Sequence, residues 1–155
     1  MLPNFHPTVN LKIMNLLFVF LSAWFLSGNP TWLKDIEQAK KISHETHKYI
    51  LVNFSGSDWC GPCIKLEKQI FENPEFQEFA SENLVLLNAD FPRLKKNQLD
   101  KAQMSLNEKL AEQYNKSGIF PLTLLLDENG KVVKKWEGIP AKDAPAFIAQ
   151  LKTTK

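Results

Sequence analysis

Both cysteines of this 155-residue chain lie in one segment, Trp59-Cys60-Gly61-Pro62-Cys63, and that segment limits the folds open to the chain. Two thiols separated by two residues can close a small disulfide ring only where the backbone turns back on itself. A strand that passes into a helix supplies such a turn and places the first sulfur at a helix N-terminus. There the helix dipole and the free N–H groups favour the thiolate, which is the species that attacks disulfides.

The flanking residues predict that strand and that helix. Tyr49–Phe54 is a continuous apolar and partly β-branched run, which is typical of a buried strand. Ser55–Asp58 is polar and predicts a loop, and Pro62 suits the first turn of a helix that continues to Phe71. Because a strand, a loop, Cys-x-x-Cys and a helix follow one another, the pattern predicts a redox motif.

The other interpretation of the cysteine pair is one half of a zinc site. Structural zinc normally takes four Cys or His ligands, and the sequence has no second cysteine pair. His44 and His47 are three residues apart, but they belong to a polar segment, Asp35–Lys48, that predicts a helix with solvated histidines. We therefore expect no metal site, and no cofactor other than a redox-active disulfide between Cys60 and Cys63.

The first 29 residues differ from the rest of the chain. They contain one charged residue, Lys12, and residues 13–26 are mostly apolar. This run is shorter than the roughly 20 residues of a membrane span but matches the apolar core of a secretory signal. We expect residues 1–29 to be a signal peptide, or a membrane anchor through residues 13–26, and residues 30–155 to form one domain outside the cytoplasm. An ordinary core helix is the alternative for the apolar run.

The composition supports one globular domain. Hydrophobic residues make up 44% of the chain and charged residues 23%, and 155 residues are enough to bury a core. The formal net charge of +2 gives no reason to expect a nucleic-acid partner.

The rest of the chain predicts alternating helices and strands. An approximate helical stripe begins at Trp32 and Leu33, and Asn73-Pro74 marks a helix break with Asn73 as the N-cap of the next helix. The later predicted elements are the strands Leu84–Ala89 and Leu122–Asp127, the hairpin strand Lys131–Trp136 and the helix Asp143–Leu151. This alternation predicts an α/β fold with a central mixed sheet and helices on both faces.

The stretch Phe91–Met104 is the least regular part of the chain. Its charged residues are mostly basic: Arg93, Lys95, Lys96, Lys101 and the single acid Asp100. Such a run is usually a solvated surface insertion, and its part from Gln98 onward can also begin the following helix. Docking of a partner is the functional alternative, since loops often carry function.

With these motifs, the chain resembles the thioredoxin-fold family over roughly residues 32–152. The matching segments occur in the family's order: Ile50–Phe54, Trp59–Cys63, Leu87–Asp90, Gly118–Leu126, Asn129-Gly130 and Gly138. Ser57–Trp59 and Phe71–Pro74 are similar to exported bacterial members, including the periplasmic thioredoxin-like domain of a membrane electron transporter.

The resemblance implies a thioredoxin fold and a thiol–disulfide oxidoreductase. Cys60 would be the exposed nucleophile, and Cys63 would be the buried thiol that resolves the mixed disulfide. Pro121 would be a cis-proline facing the disulfide, and Phe120 would offer backbone groups to an extended substrate peptide. Trp59 would shield the motif or belong to the core.

Two positions depart from the family pattern. Thioredoxins carry a buried aspartate where this chain has Asn53, and a lysine where it has Leu86. An amide cannot take the proton of the resolving thiol. Water or another group must then do so, and Glu67, one turn along the same predicted helix, is one candidate.

The residues between the cysteines favour reduction over oxidation. Gly61-Pro62 is the pair of reducing thioredoxins, and the motif holds no His. The expected partners are protein disulfides or dithiols, with a membrane thiol electron donor outside the cytoplasm. Two alternatives remain: delivery of copper by the two soft thiolates, and a binding module that docks partners through Phe91–Met104.

Overall fold

A five-stranded mixed sheet forms the centre of the molecule. The computed structural model describes residues 30–154, and the predicted signal or anchor at residues 1–29 lies outside them. The strands are β1 Trp32–Leu33, β2 Tyr49–Ser55, β3 Leu84–Asp90, β4 Leu122–Leu126 and β5 Val132–Glu137. The helices are α1 Ile36–Thr46, α2 Gly61–Leu66, α3 Pro74–Asn83, α4 Lys101–Tyr114 and α5 Ala144–Lys152, with a π-helical turn at Glu67–Phe71 and a 3-10 turn at Lys95–Asn97.

The order of the strands puts the motif just after the C-terminal end of the central strand. The order is β1-β3-β2-β4-β5, with β2 parallel to β3 and antiparallel to β4. Strand β2 is paired on both sides along its length, and its pairs include Asn53 with Asn88 of β3 and with Thr123 of β4. The chain leaves β2 at Ser55 and reaches the cysteines five residues later, so a rigid central strand positions the motif.

Two apolar layers cover the two faces of the sheet. Leu51 of β2 belongs to one buried cluster, together with Phe71, Phe76 and Phe147 from the helical segments on that face. The neighbouring β2 residues Ile50, Val52 and Phe54 belong to the other cluster, with Leu110 of α4 and Ala39 of α1. Because successive side chains of a strand point to opposite faces, the continuous apolar run of β2 fills both layers. The predicted α/β architecture with helices on both faces is confirmed.

Local signals placed most helix ends correctly. The side chain of Asn73 accepts a hydrogen bond from the Glu75 N–H at 2.9 Å, and Pro74 is the first residue of α3, as predicted. The Asp100 carboxylate caps α4 by accepting from the Gln103 N–H at 2.8 Å. Helix α4 therefore begins at Lys101. The last part of the Phe91–Met104 stretch thus belongs to this helix, which was one of the two expectations for it.

The prediction for Trp32 and Leu33 was wrong. They do not begin a helix but form β1, which pairs in parallel with Leu86 and Leu87 of β3. Helix α1 begins only at Ile36, because the Asp35 carboxylate accepts the Glu37 N–H at 2.9 Å and ends the extended segment. The backbone groups at the open edge of β3 form hydrogen bonds with these two residues and hold them extended. The apolar spacing in the sequence does not show that this edge is available.

Among residues 30–154, no helix has both the length and the apolar character needed to cross a bilayer.

Candidate functional site

The two cysteines form a disulfide at the start of α2. Their Cα atoms are 5.2 Å apart, and Cys60 is the N-cap of the helix. The Cys63 N–H donates to Cys60 Sγ at 3.3 Å, and the Cys60 N–H donates to the Gly56 carbonyl at 2.9 Å. Cys60 sulfur therefore lies where helix N–H groups and the helix dipole favour negative charge.

The structure corrects the expected difference in exposure between the cysteines. Cys60 is 5% exposed and Cys63 is 3% exposed, so both are buried in this oxidised form. Cys60 sulfur lies against the N–H of Cys63. The exposed part of the motif is instead Gly61 and Pro62, in the first turn of α2.

Trp59 joins the motif to two other parts of the chain. Its Nε1–H donates to the Phe91 carbonyl at 2.7 Å, and its ring meets the Phe120 ring edge-on at 5.5 Å between centroids. Gly56 lies under the indole, since a Cβ at that position would be 2.4 Å from Trp59 Cε2. Trp59 is half-buried and directly precedes Cys60, so its side chain packs inside the molecule and stays partly exposed beside the start of the motif.

The Phe120–Pro121 peptide bond is cis, as the resemblance implied. Pro121 is buried, and its carbonyl accepts the Gly138 N–H at 2.9 Å. Phe120 is half-buried and also contacts the Phe91 ring, at 5.5 Å between centroids. Phe120 and Trp59 thus form one aromatic cluster with Phe91.

A cavity of about 400 Å³ opens beside the buried sulfur. It is lined by Trp32, Ser55, Ser57, Cys63, Ile64, Glu67, Lys68, Glu72 and Asn88. Burial raises the pKa of the Glu67 carboxyl, and the negative charges of Glu72 and Asp90 raise it further. The cavity is therefore lined both by Cys63 and by a carboxyl whose pKa is raised.

Asn53 is buried in the sheet at 3% exposure. Its Nδ2 donates to Asn88 Oδ1 at 3.1 Å, and its Oδ1 has no hydrogen-bond partner among the described residues. Leu86, on the same strand as Asn88, is 2% exposed in the apolar core. A pair of neutral amides thus occupies the position where the family has a carboxylate.

Sequence reasoning missed how Asp58 fixes the irregular stretch. The Asp58 carboxylate accepts the Arg93 N–H at 2.9 Å, the Leu94 N–H at 3.0 Å and Asn97 Nδ2 at 3.0 Å. The Arg93 backbone hydrogen bond is the largest influence that lowers the pKa of this carboxyl. The Arg93 guanidinium carbon lies 3.7 Å from the centre of the Trp59 ring. The only signal in the sequence was the similarity of Ser57–Trp59 to exported family members.

His44 and His47 lie outside this site. Both approach Glu128, with Nδ1 to Oε2 distances of 3.7 and 3.8 Å, and both side chains are mostly exposed. Within residues 30–154, no cluster of three or more His, Cys, Asp or Glu side chains is arranged to hold a metal ion.

Comparisons with known proteins give the family. The Thioredoxin-like family model matches residues 31–127. The chain is 34% identical over 127 residues to the disulfide bond reductase DsbH of Chlamydia pneumoniae. The aligned region covers 82% of this chain and 74% of the relative. It is also 37% identical over 65 residues to the thioredoxin-related protein DsbJ of that organism, which covers 42% of this chain and 19% of the relative.

Solved structures agree with this assignment. A DsbH oxidoreductase matches with a TM-score of 0.73 at 33% identity, over 82% of this chain and 85% of the other. The oxidised C-terminal domain of Neisseria meningitidis DsbD shares the fold, with a TM-score of 0.52 at 16% identity over 77% of this chain and 92% of that domain. The protein therefore belongs to the thioredoxin-like family, and it is a thiol–disulfide oxidoreductase of that family, as its motif predicted.

Proposed function

We propose that this protein reduces protein disulfides outside the cytoplasm, using the Cys60/Cys63 dithiol. The observation that carries the proposal is the placement of Cys60 as the N-cap of α2, with its sulfur at the positive end of the helix. A thiolate formed there is stabilised and can act as the attacking nucleophile.

In the first step, the Cys60 thiolate attacks one sulfur of the substrate disulfide. A bond forms between Cys60 sulfur and that sulfur, the substrate S–S bond breaks, and the other substrate sulfur leaves as a thiolate that takes a proton from water. We assign the border of this mixed disulfide to Trp59 and Phe120, whose rings contact each other. Pro121 follows Phe120 directly, and we assign backbone contacts with an extended substrate to this pair.

In the second step, the Cys63 thiol loses its proton and attacks Cys60 sulfur. The Cys60–Cys63 disulfide forms, the bond between Cys60 and the substrate breaks, and the second substrate sulfur leaves as a thiolate that takes a proton from water. Two electrons have then passed from the protein to the substrate. We assign the Cys63 proton to the Glu67 carboxylate, through the cavity that both residues line, because the neutral amide of Asn53 cannot accept it.

The direction of electron flow follows from the motif and the relative. Gly61 and Pro62 separate the cysteines, so no histidine stands between them to stabilise the reduced form. The DsbH relative is described as a disulfide bond reductase. A reductase outside the cytoplasm needs an electron donor, and a membrane thiol protein fits that need. Residues 13–26 would direct export or anchor the chain.

The first test is the reduction potential of the Cys60/Cys63 couple, from equilibration with glutathione or dithiothreitol buffers. A potential near that of thioredoxin, about −270 mV, supports a reductase. A potential near about −120 mV belongs to a strong oxidant and contradicts the proposed direction. Tight Cu(I) binding by a protein that reduces no disulfide would instead favour copper delivery.

The second test assigns the two sulfur roles. The Cys63→Ser variant should accumulate a mixed disulfide with an oxidised protein substrate, because the resolving attack is lost. The Cys60→Ser variant is the matched control and should trap nothing. Trapping by Cys60→Ser alone would reverse the assignment of nucleophile and resolving thiol. The complexes are counted on non-reducing gels and identified by mass spectrometry.

A further inference from the structure

Three exposed cations lie in the loop that contacts Trp59, the residue before Cys60. Arg93, Lys95 and Lys96, which we call the basic rim, are all exposed in the structure. Leu94, in the middle of the rim sequence, is 48% exposed and adds an apolar contact surface. Neither step of the proposed thiol–disulfide exchange involves these side chains directly.

The basic rim is fixed to the motif at several points. Arg93 stacks on the Trp59 ring at 3.7 Å, and Trp59 immediately precedes Cys60. The Asn97 amide, at the end of the turn that carries both lysines, donates to the Asp58 carboxylate at 3.0 Å. The Trp59 Nε1–H also holds the Phe91 carbonyl at the start of the loop. The basic rim is therefore fixed against the residue that directly precedes Cys60.

The positive charge of the rim is not neutralised inside the protein. Among residues 30–154, no carboxylate forms an ion pair with Arg93, Lys95 or Lys96. The Asp58 carboxylate contacts this loop, but its oxygens accept backbone N–H groups and the Asn97 amide. The loop therefore presents more positive than negative charge to solvent.

We propose that the basic rim binds acidic segments next to the target disulfide, so that the protein selects disulfides in acidic protein surroundings. This inference rests on the proposed function and adds the substrate class. An acidic segment matches three unpaired cations, and attraction between opposite charges accelerates encounter with the partner. Because the charges are exposed, salt weakens this attraction over a Debye length of about 8 Å at physiological ionic strength.

The test uses the full chain, reduced beforehand, and three disulfide-bonded peptides that differ only at four flanking positions, which are all Glu, all Gln or all Lys. The second-order rate of protein oxidation is measured by acid quench and chromatography. At low salt, the acidic peptide should react about tenfold faster than the neutral peptide, within the range known for electrostatic steering. The basic peptide should be the slowest, and 0.5 M salt should bring the three rates together.

Two variants separate the rim from net charge. In Lys95→Glu/Lys96→Glu, the ratio of acidic to neutral rates should fall below one, and Lys95→Gln/Lys96→Gln should bring it near one. Lys41→Glu/Lys131→Glu makes the same change in net charge at exposed positions outside the basic rim, and it should keep the wild-type ratio.

Three results would contradict the proposals in different ways. Equal rates for the three peptides in the wild-type protein would overturn the rim inference and leave the reductase function intact. Equal shifts in the two Glu variants would also overturn it, because net charge alone would then explain the preference. Failure of the reduced protein to react with any peptide would overturn the proposed function itself.

Discussion

Replacing Asn53 by Asp restores the carboxylate that thioredoxins carry, and we expect it to make stability strongly dependent on pH. The new carboxyl would be enclosed like the amide, which is 3% exposed. It would also face Asn88 Oδ1, which now accepts the Asn53 amide hydrogen. A carboxylate cannot donate to that oxygen, whereas a protonated carboxyl can. Burial and hydrogen bonding therefore both favour the protonated form and raise the pKa.

The size of the effect follows from that shift. Full burial raises a carboxyl pKa by up to about 3–5 units, and each unit corresponds to about 1.4 kcal/mol. With a shift of about 3 units from the unfolded value of about 3.9, the variant loses about 4 kcal/mol of unfolding free energy at pH 7. Unfolding releases the proton, so the loss is absent below about pH 4 and grows by about 1.4 kcal/mol per pH unit above it.

The assay is urea unfolding of both proteins between pH 4 and pH 7.5. Asn88→Asp is the matched control, because Asn88 is half-buried, lines the cavity and already acts as the acceptor. Its carboxylate would keep the hydrogen bond from Asn53, and we expect a clearly smaller loss that depends less on pH. Parallel stability profiles for wild type and Asn53→Asp would refute the reasoning, since they would mean that the position is solvated.

Three further substitutions test other parts of the structure. Glu67→Gln removes a carboxyl whose pKa is raised in the folded protein, and such a group lowers the unfolding free energy as the pH increases. The variant should therefore be more stable than the wild type at pH 7 but not at pH 4, as measured by urea unfolding. It should also slow resolution of the mixed disulfide, measured by quenched flow. Phe71→Ala removes a fully buried ring between Trp32 and Phe76, and denaturant unfolding should show a loss of about 3–5 kcal/mol. Gly130→Ala places a Cβ 2.9 Å from Tyr114 Oη at a φ of +83°, and thermal unfolding should show a loss of about 1–2 kcal/mol.

Elements that depend on neighbouring residues could be predicted from the sequence. Strand β2, the N-terminal position of the cysteines and the cap of α3 at Asn73 each follow from a few adjacent residues. The signals are a hydrophobic run, a proline in the first turn of a helix and a capping side chain. Each of them lies within a few residues of the element that it predicts. The redox pair within the candidate site was therefore predictable as well.

Features that depend on distant pairing could not be predicted in this way. Strand β1 has two residues and exists because the edge of β3 is open to it. The Asp58 carboxylate meets the loop 35 residues further along the chain. No local pattern in the sequence predicts that the aspartate before the Trp-Cys motif binds the backbone of Arg93. Both contacts follow from the order of the strands, which the sequence pattern did not specify.

The contacts of Asp58 connect the reactivity of the motif with the loop. A carboxylate two residues before Cys60 would disfavour the thiolate there, because like charges repel. Two backbone N–H groups and the Asn97 amide bind this carboxylate, and the Arg93 guanidinium stacks on the intervening Trp59. These donors and the nearby cation offset the negative charge beside the nucleophile. In the proposed mechanism, the loop that carries the basic rim would therefore also favour formation of the Cys60 thiolate.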